Sequence, residues 1–135
     1  MNRKLLTQMP AAFRCPSSGQ VGQTTSYVVV GGKETIFDGD RPCPIGDILD
    51  GAASTILVVE APHANIPWTE PRDLDFDQLS MLVNDGPNSP HSDHLDSVHA
   101  LFADGRVRTL HSGMSRQDLR ALLTKAGGET ISEGF

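Results

Sequence analysis

A chain of 135 residues, 38% hydrophobic and 21% charged, is long enough to bury a core as one domain and too apolar to be intrinsically disordered. Its 17 acidic against 11 basic side chains leave a net charge of -6, which argues against nucleic acid as a partner held by attraction to phosphates. The longest apolar runs, Tyr27-Val28-Val29-Val30 and Ile56-Leu57-Val58-Val59, fall far short of the roughly 20 residues that a bilayer requires, so no membrane contact is expected of this chain itself.

Residues 1–20 read as a lead-in, the fraying end of a helix that gives way to loop at "FRCPSSGQ", where Pro, Ser and Gly cluster. "MNRKLLTQMP" has basic residues but not the apolar stretch that secretion needs. That predicts a cytoplasmic product if the chain is natural and complete, or else a piece whose export element lies elsewhere. "TTSYVVV" reads as a strand of β-branched and aromatic residues stopped by Gly31-Gly32. A loop with turn pairs at Asp38-Gly39 and Asp50-Gly51 follows. "STILVVEA" is a second strand, apolar on both faces and therefore expected in the interior of its sheet.

From Pro62 to Pro90 the chain has five prolines, Trp68 and many carboxylates without helical or strand periodicity. The expectation is a long ordered loop, functional or held by its own contacts. "VHALFADGRVRTL" then places Asp104-Gly105 between two apolar runs, which predicts a hairpin with Asp104-Gly105 in a primed turn and Gly105 at positive φ. Finally "SRQDLRALLTKAGGE" has Ser115 as an N-cap, Leu119, Leu122 and Leu123 on one stripe, and Gly127-Gly128 as a stop. That predicts a short C-terminal amphipathic helix on the sheet. The fold class expected is α+β.

Several side chains could carry chemistry. In "HSDHLDSVHALFADGRV" three histidines and three aspartates surround an apolar run. Asp93, His94, Asp96 and Asp104 are the candidate ligands for calcium or zinc, although the spacing matches no zinc pattern and lacks the EF-hand repeat. The structural alternative is a solvated loop with one histidine bonded to the turn. Glu60, Glu70, Asp73, Asp75 and Asp77 could supply paired carboxylates for hydrolysis, but the run from Glu70 reads as a polar surface segment rather than as a catalytic pair. Neither a nucleophile elbow nor a phosphate-binding loop occurs, so no catalytic residue is assigned. Trp68, between prolines, reads as an anchor that pins the long loop to the body of the domain rather than as a recognition aromatic. Cys15 and Cys43 would close a loop of about 29 residues if oxidised, a constraint of roughly 3–4 kcal/mol. Two free thiols are the alternative.

His94, nine intervening residues and then Asp104-Gly105 resemble the His-x(9)-Asp-Gly signature of the prepilin-like proteins abundant in planctomycetes, domain-of-unknown-function family 1559. Four further stretches resemble that family in the same order. They are "FRCPSS", "IGDILDGAASTILVVEA", "IPWTEPRDLDFD" and the closing helix "LRALLTKAGGE", so that the likeness spans residues 11–129. Two departures stand out: Leu95-Asp96-Ser97 replaces the usual small residues and His99 stands where Asn is common, and, more seriously, the family's amino-terminal prepilin helix and processing site are expected to be missing, so that the chain resembles the carboxy-terminal part of the head.

The resemblance implies a pilin-like head with a mainly antiparallel sheet, residues 21–129, between the lead-in and a tail at 130–135. It implies an extracytoplasmic location, at the cell surface or in the periplasm, and protein partners or self-assembly. It implies no enzyme and no obligatory cofactor. Only His94 of the histidine cluster matches the signature, which makes His91 and His99 incidental and suggests that His94 locks the Asp104-Gly105 turn through one hydrogen bond. If the head is extracytoplasmic, Cys15 and Cys43 are expected to pair. A calcium- or zinc-binding domain near His94 and Asp104 is the second expectation.

Overall fold

The computed structural model describes residues 3–132; residues 1–2 of the expected lead-in and 133–135 of the expected tail lie outside them. The fold is α+β. In chain order the strands are β1 (Tyr27–Val28), β2 (Val30–Gly31), β3 (Ile56–Glu60), β4 (Leu74–Asp75), β5 (Ser97–Phe102) and β6 (Val107–His111), followed by helix α1 (Arg116–Leu123). Strands β1, β3, β5 and β6 form an antiparallel sheet in the order β1-β3-β5-β6, while β2 and β4 form a small parallel pair.

The apolar strand "ILVVE" takes the interior position between β1 and β5, as a strand apolar on both faces should. Val59 is fully buried, together with Val98, Phe102 and Leu110 from the neighbouring strands. Helix α1 packs against β3 and adds Leu119, Leu122 and Leu123 to the same core. Ser115 caps the helix by accepting the Asp118 backbone N–H at 3.0 Å, the arrangement its sequence predicts. The helix ends at Leu123, before Gly127-Gly128: Thr124 turns to extended backbone and bonds the Ala121 carbonyl with its own hydroxyl.

Four expectations change. The run "YVVV" is not one strand: Val29 turns its N–H to the Asp73 carboxylate, and the chain leaves the large sheet to pair with β4. The lead-in contains two 3-10 turns, Leu6–Gln8 and Ala11–Phe13, and no α-helix among the described residues. The hairpin is real, but its turn is a three-residue one. Gly105 N–H donates to the Phe102 carbonyl at 2.9 Å and Phe102 N–H to the Arg106 carbonyl at 2.9 Å, and of Asp104 and Gly105 only the glycine has positive φ, 83°. This is a type I turn closed by a left-handed glycine, not a primed turn. Finally, Cys15 and Cys43 do not pair: the buried Cys15 thiol lies against His94 and the Cys43 thiol against the Pro44 carbonyl.

The long loop is ordered as expected. Trp68 N–H donates to the Gln23 carbonyl, Thr25 N–H to the Ile66 carbonyl, and the Trp68 indole N–H to the Leu6 carbonyl at 2.9 Å. Its ring packs on Phe13 with centroids 5.5 Å apart. Trp68 therefore pins the loop to the lead-in while remaining half-buried.

Candidate metal-binding site at one end of the sheet

The site begins with the way β3 ends. Backbone pairing to β5 runs through Val59 opposite Ala100, and one residue later the Glu60 carbonyl accepts the N–H of His91 instead. The N–H of His99, left without a strand partner on that side, donates to Glu60 Oε2 at 2.8 Å, and His99 Nδ1 lies 3.2 Å from the same oxygen. The carboxylate thus completes the ladder that its own backbone abandons. Only 2% of Glu60 is exposed, and a carboxylate so placed is costly unless it is bonded and charge-compensated. Among the described residues its ion-pair partners are two histidines, His99 and His94, the latter with Nε2 3.9 Å from Oε1.

Cys15 arrives from the lead-in. Its N–H donates to Ser26 Oγ at 2.9 Å, Ser26 N–H donates to the Phe13 carbonyl and Ala61 N–H to the Ser26 carbonyl. These bonds clamp the loop beside β1 and the end of β3. His94 is held from the other side, its N–H on Ser92 Oγ at 3.1 Å, with Ser92 N–H on Asn84 Oδ1. The result is that Cys15 Sγ and His94 Nε2 stand 3.4 Å apart. Their two ligand atoms and a Glu60 oxygen all lie within 4.8 Å of one another. The His94 and His99 rings meet edge to face at 5.4 Å. Tyr27 stands opposite Glu60 in β1. Burial, and then the neighbouring Cys15 and Glu60, hold the Tyr27 pKa above the usual phenol value.

A second group lies alongside. His63 and His91 stack with centroids 3.6 Å apart, and His63 Nε2 is 3.3 Å from Asp93 Oδ1. The Gly19 N–H donates to the other Asp93 oxygen, and this bond, with His63 and His91 nearby, holds the Asp93 carboxyl below the usual carboxylate range. Burial, then the adjacent His63, lowers the His91 pKa, with Asp93 opposing. His91 Nδ1 is buried and has no hydrogen-bond partner among the described residues.

The ligand set expected from sequence does not assemble. His94 joins Cys15 and Glu60, Asp93 joins His63, and the exposed Asp96 has its carbonyl on the Ser112 N–H. Asp104 sits at the hairpin turn, its carboxylate accepting the Arg106 N–H and facing Arg106 and Arg108. The six residues of β5 separate that turn from His94, a span of roughly 15–20 Å at strand rise. His94 therefore does not lock the turn, and His91 and His99, which only seemed incidental in the sequence, hold partners in the two groups. Cys15 and His63 were missed as ligands because their contacts reach across 79 and 30 residues. A lone carboxylate closing the apolar run "ILVVE" was the one local signal for Glu60. No family model, curated protein or solved structure matches the chain.

Proposed function

We propose that the chain is a non-enzymatic, pilin-like head that acts outside the cytoplasm in assembly or partner binding. The reading rests on the sequence resemblance; the two cysteines, held apart as free thiols, do not add to it, and two observations support it. Three of the resembling stretches meet at a point, Cys15 from "FRCPSS", Glu60 from "ILVVEA" and His94 from the His-x(9)-Asp-Gly signature. Motif residues dispersed along a chain and gathered in space are what a shared architecture requires. Large apolar side chains also stand in solvent on the surrounding loops, Val21 at 96% and Leu95 at 94% exposure. The Gly19–Asp93 bond ties those two loops together, and such residues suit a contact with another protein.

The test is location and neighbours in the native cell. An epitope-tagged chain expressed from its own locus should be found in the envelope or secreted fraction, accessible to a membrane-impermeant label. Substituting Val21 and Leu95 with charged residues should reduce its crosslinking to neighbouring proteins without lowering its melting temperature. A product confined to the cytosol would overturn the proposal, and so would crosslinking unaffected by the substitutions.

A further inference from the structure

We propose that Cys15, Glu60 and His94 form a binding site for zinc, with a fourth coordination position left open at the surface. The donor set points to the ion class. A thiolate, an imidazole and a carboxylate together suit zinc, whereas calcium and magnesium take oxygen ligands. Zinc bonds of about 2.0–2.3 Å place tetrahedral donors roughly 3.3–3.6 Å apart. The Cys15–His94 separation of 3.4 Å already meets that spacing, and the His94–Glu60 separation of 3.9 Å exceeds it by a few tenths of an ångström.

Charge supports the same ion. Zinc takes cysteine as thiolate and histidine as neutral imidazole, so the loaded site would hold one thiolate and one carboxylate against a divalent cation, a neutral group. The outer partners are also in place. His99 occupies Glu60 Oε2 with its N–H and faces it with Nδ1, leaving Oε1 towards His94. Fixing one carboxylate oxygen to orient the other is the usual work of the shell behind a metal ligand. The site is reachable, since the His94 side chain is 30% exposed. Three protein ligands and an accessible fourth position are the arrangement in which zinc takes a water or an exogenous ligand.

The neighbouring His63–His91–Asp93 group is the rival. It too offers three ligand atoms within 4.8 Å of one another, but its imidazoles stack face to face at 24°, both Asp93 oxygens already hold contacts with the Gly19 N–H and His63 Nε2, and it has no thiolate.

The experiment uses the chain without a polyhistidine tag and zinc alone as the ligand, in competition with a chromogenic chelator of micromolar affinity. The parent should hold one zinc per chain. Cys15→Ser and His94→Ala should each weaken binding by roughly 100-fold or more, and His99→Ala by about 10- to 100-fold, while His63→Ala should bind like the parent. Cobalt in place of zinc should show a thiolate-to-metal charge-transfer band, lost in Cys15→Ser. His94→Ala, altered at a partly exposed position, keeps the test decisive if Cys15→Ser fails to fold. The proposal is overturned if the parent retains no zinc, if the cobalt band is absent, or if His63→Ala abolishes binding while Cys15→Ser preserves it. None of these outcomes bears on the head-domain reading, which is tested by location and crosslinking.

Discussion

His91 shows how one residue's surroundings set a pH response. Burial and the stacked His63 disfavour its charged form, so its folded-state pKa lies below the usual value of about 6.5. The unfolded chain then takes up the proton first as pH falls. The stabilisation from keeping His91 neutral is complete above the ordinary histidine pKa and is lost as pH falls from there through the folded value. The urea midpoint of the parent should therefore drop between about pH 7.5 and about pH 5.5, and His91→Gln should drop less over the same interval. Equal slopes for the two proteins would refute the assignment. Asp93, with its pKa lowered by the Gly19 N–H, acts in a separate window, since its contribution is present above the ordinary carboxylate pKa and fades below it.

Among the elements, the β5–β6 hairpin and α1 each depend on one terminal residue. Gly105 has φ of 83° and open space where a Cβ would stand, so a substitution there is opposed by backbone conformation and not by a clash. Gly105→Val should cost about 1–3 kcal/mol, and a melting temperature equal to the parent's would show that the turn readily adopts another form. In α1, the Ser115 hydroxyl accepts the Asp118 N–H and donates to the Asp118 carboxylate. The Ser132 N–H, then that hydroxyl, holds the Asp118 carboxyl below the usual carboxylate range. Ser115→Ala should lower stability by about 1 kcal/mol, measured by urea denaturation at neutral pH; an unchanged midpoint would mean that water replaces the cap at no net cost.

Across the whole molecule, the long loop from Pro62 to Pro90 is joined to the rest of the fold at separated points. Thr24 and Pro67 form a bridge, β4 pairs with β2 in parallel, and the Trp68 indole reaches the Leu6 carbonyl. The last contact spans 62 residues and ties the lead-in to the loop. Trp68→Phe keeps most of the apolar area while deleting that single hydrogen bond, so it should cost about 0.5–1.5 kcal/mol. Exchange of the Gln8 amide, which bonds back to the Leu5 carbonyl, should quicken in the same variant. Unchanged exchange would show that the 3-10 turn at Leu6–Gln8 stands without the tryptophan.

The sequence by itself determined the parts whose causes are local. Strand β3 follows from its apolar run, the hairpin from Asp104-Gly105 between two such runs, α1 from Ser115 and its leucine stripe, and the ordered loop from prolines around one tryptophan. Each rests on neighbours a few residues apart, where steric and capping preferences act directly. Tertiary structure decided the division of "YVVV" between two sheets, because the Asp73 carboxylate, 44 residues away, takes the Val29 N–H. It also decided the site. Glu60, Cys15 and His94 share no spacing that periodicity could reveal; they meet because β3 stops pairing with β5 at Val59 and two loops are clamped against its end. Sequence proximity had grouped His94 with Asp104, but an extended strand carries residues apart as surely as a turn brings them together.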